Sequence, residues 1–214
     1  MVEEGVMDNP KVDAIFGLHA WPGKVGQAEY RSGPTMAAAE RMRITVTGVQ
    51  THGALPWGGV DPIVISSQII LSLQTIVSRE VDITEVPAVV TIGSIHGGVR
   101  NNIIPEEVVM EGTIRTFKQE IKDHIHKSIK DKVEMIASAS GAKANVEIFS
   151  GIAKVTYNEP SLTDQMLPSL QKVYGKDNVL IRPFVTGAED FQFFTDNAPG
   201  LYIYNDVSEN PSKA

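Results

Sequence analysis

The alternation of hydrophobic and polar residues predicts the first regular elements of this chain. Met42, Ile44 and Val46 alternate with polar side chains, and this period of two is typical of a strand with one buried face. Asp61 and Pro62 then predict the start of a helix, with the Asp61 side chain as its cap and Pro62 in its first turn. A strand followed by a helix therefore opens the middle part of the sequence.

Three more strands and a second helix complete this pattern. Segments 87–95, 108–116 and 144–149 are rich in β-branched or alternating apolar residues, which predicts strands. The residues predicted to share the buried stripe of the first helix are Ile63, Ser66, Ile70, Leu73 and Val77. Those at helical spacing in the second helix, which Gly141 closes, are Ile121, Ile125, Ile129, Val133 and Ile136. The order β-α-β-β-α-β over 41–149 is the split βαβ arrangement of ferredoxin-like domains.

The two ends of the chain predict elements of another kind. Apolar residues 12–18 predict a short buried strand that ends at His19. Segment 163–174 predicts a helix, the Gly187–Phe191 segment predicts the beginning of another, and 201–204 predicts a strand. Strands and helices mixed in this way indicate an α/β unit.

The fold class expected from this order is α/β, with one domain inserted into another. The predicted boundaries assign residues 38–149 to the inserted split βαβ domain, and residues 1–37 and 150–214 to the unit that receives it. The two flanks contribute about a hundred residues, which is few for a complete α/β domain. We therefore expect the flanks to represent only part of such a domain.

Composition excludes several classes of function. The chain of 214 residues has 26 acidic against 19 basic residues and a net charge of −7, which argues against a nucleic-acid partner. No apolar run approaches the ~20 residues of a membrane helix, so no membrane partner is expected. The absence of cysteine excludes disulfides, cysteine-ligated zinc and a thiol nucleophile, but leaves the compartment open.

Five polar residues lie where they could bind a ligand. His19 ends a predicted strand, and His52 lies in a loop beside Gly53. Asn102 follows a glycine-rich turn, and Arg115 is predicted on the sheet face opposite its apolar neighbours, where it could clamp a carboxylate. Glu189 lies at the predicted start of a helix. Each also has an ordinary explanation, as a loop residue, a turn cap or a solvated charge.

The residues alone do not form a complete catalytic motif. The sequence has no His-x-x-x-His zinc pattern, no phosphate-binding glycine loop followed by Lys-Ser or Lys-Thr, and no Gly-x-Ser-x-Gly. His124 and His126 are two positions apart on a predicted helix, so they face different directions. Physical patterns by themselves therefore indicate a fold without indicating a reaction.

Four segments, taken in order, indicate a resemblance to a known family. They are Gly17–Pro22, Gly48–Pro62, Asn102–Phe117 and Gly187–Phe191. Together they resemble the metal-dependent amidohydrolases and peptidases of the aminoacylase and carboxypeptidase G superfamily. The nearest subgroup is similar to hippurate hydrolase and the indoleacetyl-amino acid hydrolases, and the resemblance covers essentially the whole chain.

This resemblance implies a fold, a reaction and a role for each of the five residues. A zinc-peptidase-type catalytic domain would hold two divalent metal ions (zinc, manganese or cobalt), and the inserted lid or dimerisation domain would form a homodimer. The substrate would be a small N-acyl amino acid, cut at the amide bond next to its free carboxylate. His19 would bind a metal, and His52 would stabilise the developing oxyanion. Asn102, Arg115 and Glu189 would contact the substrate.

The sequence also departs from the family pattern. The first metal ligands and the Glu-Glu pair that includes the general base would precede Met1, and a last metal-binding histidine would follow Asn205. His19 is then the one assignable metal ligand, so the metal site is expected to be incomplete and the chain to be an inactive fragment. Two alternatives stay open. One is a dimerisation or binding module without catalysis, and the other is a dipeptidase or N-acetyl-diamino acid deacetylase of the same family.

Overall fold

The structure, a computed structural model, describes residues 1–208. The strands are β1 (Ile15–Pro22), β2 (Ala28–Tyr30), β3 (Gly33–Met36), β4 (Ala38–Thr47), β5 (Thr51–His52), β6 (Val89–Gly97), β7 (Ile103–Ile104), β8 (Glu107–Thr116), β9 (Lys143–Ala153), β10 (Thr156–Asn158), β11 (Val179–Ile181) and β12 (Gly200–Ser208). The helices are α1 (Pro62–Thr75), α2 (Gln119–Ala139), α3 (Pro160–Tyr174) and α4 (Gln192–Thr195). They form two compact units, which we call the inner unit (residues 39–152) and the outer unit (residues 1–38 and 153–208).

The inner unit is a four-stranded sheet packed against α1 and α2. Its strand order is β6-β8-β4-β9, and β6 pairs with β8 in antiparallel fashion. Ile44, Ile69, Ile114 and Ile129 are fully buried in one continuous apolar core between the sheet and the helices. The predicted split βαβ arrangement and the α/β fold class are therefore confirmed.

The ends of both helices in the inner unit follow the predicted local chemistry. The carboxylate of Asp61 accepts hydrogen bonds from the backbone N–H of Ile63 at 2.8 Å and of Val64 at 3.3 Å, which caps α1 as expected. Helix α2 ends before Gly141, which adopts a φ of +74° that favours glycine. Ala142 N–H then donates to the carbonyl of Ala137 at 2.9 Å and closes the last turn.

Of the residues predicted for the first helix, Ser66 and Leu73 are buried and Ile70 and Val77 pack against the same core, so the prediction is wrong only at Ile63. Ile63 is 45% exposed, whereas Ile65 and Ile69 lie in the core together with Leu73. Apolar residues surround much of α1, so their spacing does not define a single stripe, and packing against the sheet selects the face. The predicted stripe of α2 is confirmed at its centre, because Ile129 and its neighbours along the stripe are fully buried.

Several strands extend past the predicted ends. Strand β6 continues through His96 and Gly97, which pair with Val109 and Val108, whereas the predicted strand ended at residue 95. Strand β9 runs to Ala153 instead of ending at 149. Ladder hydrogen bonds to a neighbouring strand keep these segments extended, and that partner is not visible in the local sequence.

The outer unit contains a mixed sheet of order β1-β12-β2-β11. Strands β1 and β12 are parallel, β12 and β2 are antiparallel, and β2 and β11 are parallel. Helix α3 covers one side of this sheet, where Leu162, Leu201 and Ile203 form a small core. Strand β3 pairs separately with β10. Among the described residues, no helix is both long and apolar enough to cross a membrane.

Two predictions for the outer unit need correction. Strand β1 does not end at His19 but continues to Pro22, because it stays paired with β12 along this length. The segment from Gly187 to Asp190 is not helical, and α4 begins only at Gln192. The carboxylate of Glu189 therefore projects from irregular backbone and is not part of a first helical turn.

Candidate functional site

His19 lies in a cluster of aromatic side chains on one face of the outer sheet. Its ring centroid is 5.4 Å from that of Trp21 and 6.2 Å and 6.3 Å from those of Tyr202 and Tyr204 on β12. Gly17, two residues earlier on the same face, leaves room for this packing, since a Cβ there would lie 2.5 Å from the ring of Tyr202. The alternation of β1 and β12 thus brings these side chains together.

The hydrogen bonding of His19 fixes its tautomer. Its Nδ1 lies 2.7 Å from the carbonyl oxygen of Ala20, which can only accept, so Nδ1 carries the proton. In the neutral ring, Nε2 then has a free lone pair, and it lies 3.4 Å from Oε1 of Glu189. Metal-binding histidines commonly donate their other ring N–H to a backbone carbonyl in this way, and the metal role of His19 stays a prediction.

Glu189 contacts a tyrosine as well as the histidine. Burial, the negative charge of Glu189 and a hydrogen bond to that carboxylate hold the pKa of Tyr202 well above its ordinary value. The Tyr202 hydroxyl therefore stays protonated at neutral pH and can donate to the carboxylate. The structure thus brings the predicted residues His19 and Glu189 together and adds Tyr202.

Arg182 contacts two rings of this aromatic cluster. The guanidinium of Arg182 lies 4.5 Å from the ring centre of Trp21 and 4.3 Å from that of Tyr204, and it forms an ion pair with Glu29. A cavity of roughly 370 Å³ is lined by Arg182 and Trp21 and by the buried carboxyl of Asp206. Burial raises the pKa of Asp206, and the nearby Arg182 opposes this shift.

His52 and Asn102 are neighbours in the inner unit. His52 on β5 pairs with Ile103 on β7, and the N–H of Gly53 donates to the carbonyl of Asn102 at 2.8 Å. The N–H of Ala54 donates to Nδ1 of His52 at 3.0 Å, so the proton of the neutral ring is on Nε2. The exposed His52 side chain therefore presents Nε2–H as a hydrogen-bond donor.

Arg115 lies on β8 of the same unit. Its neighbours Ile114 and Thr116 are buried and Arg115 is partly exposed, so its side chain is on the sheet face away from the core, as the alternation predicted. A guanidinium in this position can form two parallel hydrogen bonds with a carboxylate. Its role in substrate binding stays a prediction.

The sequence analysis missed Tyr202, Arg182 and Asp206. Tyr202, Tyr204 and Asp206 alternate along β12 and could have indicated a polar face, but a strand of this kind also occurs in ordinary sheets. Within residues 1–208, no group of three His, Asp or Glu side chains converges closely enough to hold a metal. His19 and Glu189 thus provide two potential donors.

Comparison with known proteins places this geometry in context. Residues 39–140 match the family profile described as a peptidase dimerisation domain. The chain is 37% identical to N-acetyl-L-cysteine deacetylase of Bacillus subtilis, over 95% of this chain and 48% of the relative. It is 34% identical to thermostable carboxypeptidase 2 of Saccharolobus solfataricus, over 95% of this chain and 51% of the relative. The chain thus spans about half the length of the curated relatives it matches.

A solved structure extends the similarity to the fold. It is the Bacillus subtilis YXEP protein, described as a dinuclear metal-binding peptidase from the M20 family. The two chains are 27% identical and superpose with a TM-score of 0.78, over 99% of this chain and 52% of that chain. The similarity covers both units.

Proposed function

We propose that this chain acts in the metal-dependent hydrolysis of N-acyl amino acids. The premise is that the chain belongs to the M20 family of peptidases and amidohydrolases. One observation carries the proposal. Nε2 of His19, freed by the hydrogen bond from Nδ1 to a carbonyl, faces the carboxylate of Glu189 at 3.4 Å on a sheet face lined with aromatic rings. The deacetylase and carboxypeptidase among the relatives support the reaction class.

His19 belongs to the metal centre in this proposal. A bound divalent ion lowers the pKa of water and polarises a carbonyl group, which is the chemistry that amide hydrolysis requires. The neutral Nε2 lone pair fits an ion such as zinc, because zinc accepts imidazole and carboxylate ligands together. Glu189, whose carboxylate lies 3.4 Å from Nε2 of His19, contacts the substrate beside this centre. The dinuclear description of the YXEP protein supports a metal requirement, and the metal identity stays open.

His52 stabilises the charge that develops on the substrate. When water attacks an amide, the carbonyl oxygen becomes an oxyanion, and a donor aimed at this oxygen lowers the barrier. The Ala54 N–H fixes the His52 tautomer so that Nε2–H is the exposed donor. His52 does not need to become charged for this role.

Arg115 and Asn102 bind the part of the substrate that does not react. The planar guanidinium of Arg115 pairs with the free carboxylate of the amino acid, and the side-chain amide of Asn102 donates a further hydrogen bond. Recognition of this carboxylate explains a preference for amides of amino acids over simple amides. The acyl group is left unspecified, so hippurate-like, N-acetyl-diamino acid and dipeptide substrates are alternatives to be distinguished by assay.

The inner unit forms the dimer through the edge strand β6 and helix α1. A peptidase dimerisation domain matches this part of the chain. Helix α1 leaves Val64 52% and Leu71 71% exposed, and Ile95 on β6 is 47% exposed. Apolar side chains on an edge strand and the adjoining helix favour association. In the dimer, His52 acts at the metal centre of the neighbouring subunit.

The test is hydrolysis by the full-length protein that carries this sequence. N-acetyl and N-benzoyl amino acids are compared with the corresponding carboxamides, after chelation and after addition of zinc, manganese or cobalt. We expect turnover only with metal, and a large loss of kcat/KM with the carboxamides, because Arg115 loses its partner. Equal turnover of acids and carboxamides would contradict the role of Arg115, and a metal-independent dimer without turnover would favour the binding-module alternative.

A further inference from the structure

We infer that Trp57 contacts the acyl group of the substrate, and that the preferred substrates are N-acyl amino acids with a large apolar acyl group such as benzoyl. This inference rests on the proposed function and makes it more specific, because that function leaves the acyl group open. Its basis is the exposed side chain of Trp57, which lies in the same loop as His52.

Exposed apolar side chains accompany both candidate donors of the inner unit. Trp57 is 80% exposed, although a large aromatic side chain gains much free energy from leaving water. Leu55 in the same loop is 49% exposed, and Val99, in the turn that also carries Asn102, is 87% exposed. Apolar side chains around a few hydrogen-bond donors are the usual lining of a small-molecule site.

Hydrogen bonds hold the loop of His52 and Trp57 in one shape. The backbone N–H groups of Val49 and Val60 donate to each other's carbonyl at 2.9 Å and 3.0 Å, which closes the base of the loop. The N–H of Leu55 donates to the carbonyl of His52 at 2.8 Å, and a turn of this kind keeps the two Cα atoms within about 7 Å. Trp57 follows two positions later, in a single turn of 3₁₀ helix. The indole is therefore held at a fixed position close to His52.

The chemistry of the reaction places the acyl group beside this loop. In the proposed function, Nε2–H of His52 donates to the oxygen of the substrate carbonyl, and the acyl group is bonded to that carbonyl carbon. The amino acid lies on the other side of the bond that is cut, where Arg115 binds its carboxylate. An acetyl group has too little apolar surface to cover the Trp57 indole, whereas a benzoyl ring can stack on it.

The first test compares N-benzoylglycine with N-acetylglycine as substrates of the full-length protein. We expect the wild type to have the higher kcat/KM for the benzoyl compound. Trp57→Ala should lower the ratio of the two kcat/KM values by about tenfold or more, the scale on which hydrophobic pockets distinguish substrates. Trp57→Phe keeps an aromatic ring and should restore most of the ratio. Met135→Ala, at a 62% exposed position of α2, is the control and should keep the wild-type ratio.

The same variants distinguish the acyl group from two other contacts. If Trp57→Ala changes the preference between N-benzoylglycine and N-benzoylleucine but not the benzoyl-to-acetyl ratio, Trp57 contacts the side chain of the amino acid. If the variant lowers the mass of the assembly in light scattering and keeps the ratio, Trp57 belongs to a contact between copies of the protein. Either result overturns the inference.

Fluorine NMR separates this inference from the proposed function. In metal-free full-length protein labelled with 5-fluorotryptophan, the signal that Trp57→Phe lacks belongs to Trp57, and N-benzoylglycine should shift it in a saturable way. A saturable shift without hydrolysis under any metal would refute the proposed function and keep the contact of Trp57 with the ligand. Hydrolysis without a shift would overturn the inference and keep the function, and absence of both would overturn both.

Discussion

The inner and outer units differ in where they place their candidate site residues. The inner unit buries one large apolar core and presents His52, Asn102 and Arg115 at its surface. The outer unit has smaller apolar cores and buries polar groups among its aromatic rings, as Asp206 shows. The inner unit therefore presents its candidate donors at the surface, whereas the candidate residues of the outer unit are half-buried, with the side chains of His19 and Glu189 35% and 28% exposed.

Among the described residues, buried polar atoms without a hydrogen-bond partner are more numerous in the outer unit than in the inner unit. In the outer unit, Nε of Arg182, Oδ1 of Asp206 and the side-chain amide of Gln192 are buried and have no hydrogen-bond partner among the described residues. In the described inner unit, the hydroxyl of Ser66 alone is in this position. Unsatisfied buried polar groups destabilise a fold, and proteins keep them mainly where function requires them.

The largest effect is expected from the core of the inner unit. Ile129→Ala removes a fully buried side chain from this core and should lower the free energy of unfolding by about 2–5 kcal/mol. Chemical denaturation measures the change. Val173→Ala, at a 76% exposed position of α3, is the control and should change the value by less than about 0.5 kcal/mol. Equal losses in both variants would contradict the idea of a single stabilising core.

The next largest effect is expected on catalysis, with no change in stability. In the full-length protein, His52→Ala should lower kcat by about 10²–10³-fold, since removal of an oxyanion donor has this effect. Metal content and the unfolding transition should stay unchanged, because His52 is exposed and lies outside the apolar core. Unaltered turnover would show that His52 is an ordinary loop histidine.

The isolated chain gives a related prediction. Two donors do not complete a catalytic metal site, which uses at least three protein ligands and a base. Since residues 1–208 bring no third donor to His19 and Glu189, the 214-residue chain alone should not hydrolyse N-acyl amino acids, with or without added metal. Metal-dependent turnover by this chain would show that other residues complete the site.

A smaller effect is expected at the start of α1. Asp61→Ala removes the side chain that accepts from Ile63 N–H and Val64 N–H, and should cost about 1 kcal/mol. Asp61→Asn keeps an acceptor at the cap and should recover most of this loss. Thermal unfolding of the two variants measures both effects, and equal destabilisation would assign the loss to charge instead of capping.

The smallest effect is a pH dependence that comes from the outer unit. Burial raises the pKa of Asp206, so the folded state binds its proton more tightly than the unfolded state does. Stability should therefore fall as the pH rises from the unfolded pKa through the folded one. Asp206→Asn should remove this component, which denaturation at several pH values measures. A fall of the same size in the variant would assign it to other groups.

The sequence by itself determined the elements of the inner unit and their order. The cap at Asp61, the α2 stripe around Ile129 and the alternation through Ile44 depend on neighbours within a few positions, so local patterns are sufficient to specify them. The resemblance carried by four short segments added a role for each of the five candidate site residues, and it could do so because each segment keeps its own motif.

The tertiary structure alone decided which of these residues meet. His19 meets Glu189, which lies 170 positions later in the chain, and His52 reaches the loop of Asn102 through the pairing of β5 with β7. The tertiary structure also determined the length of β1 and the position of Tyr202 beside the carboxylate of Glu189. Contacts of this kind depend on register and on which surfaces exclude water together, and neither quantity is contained in a local run of residues.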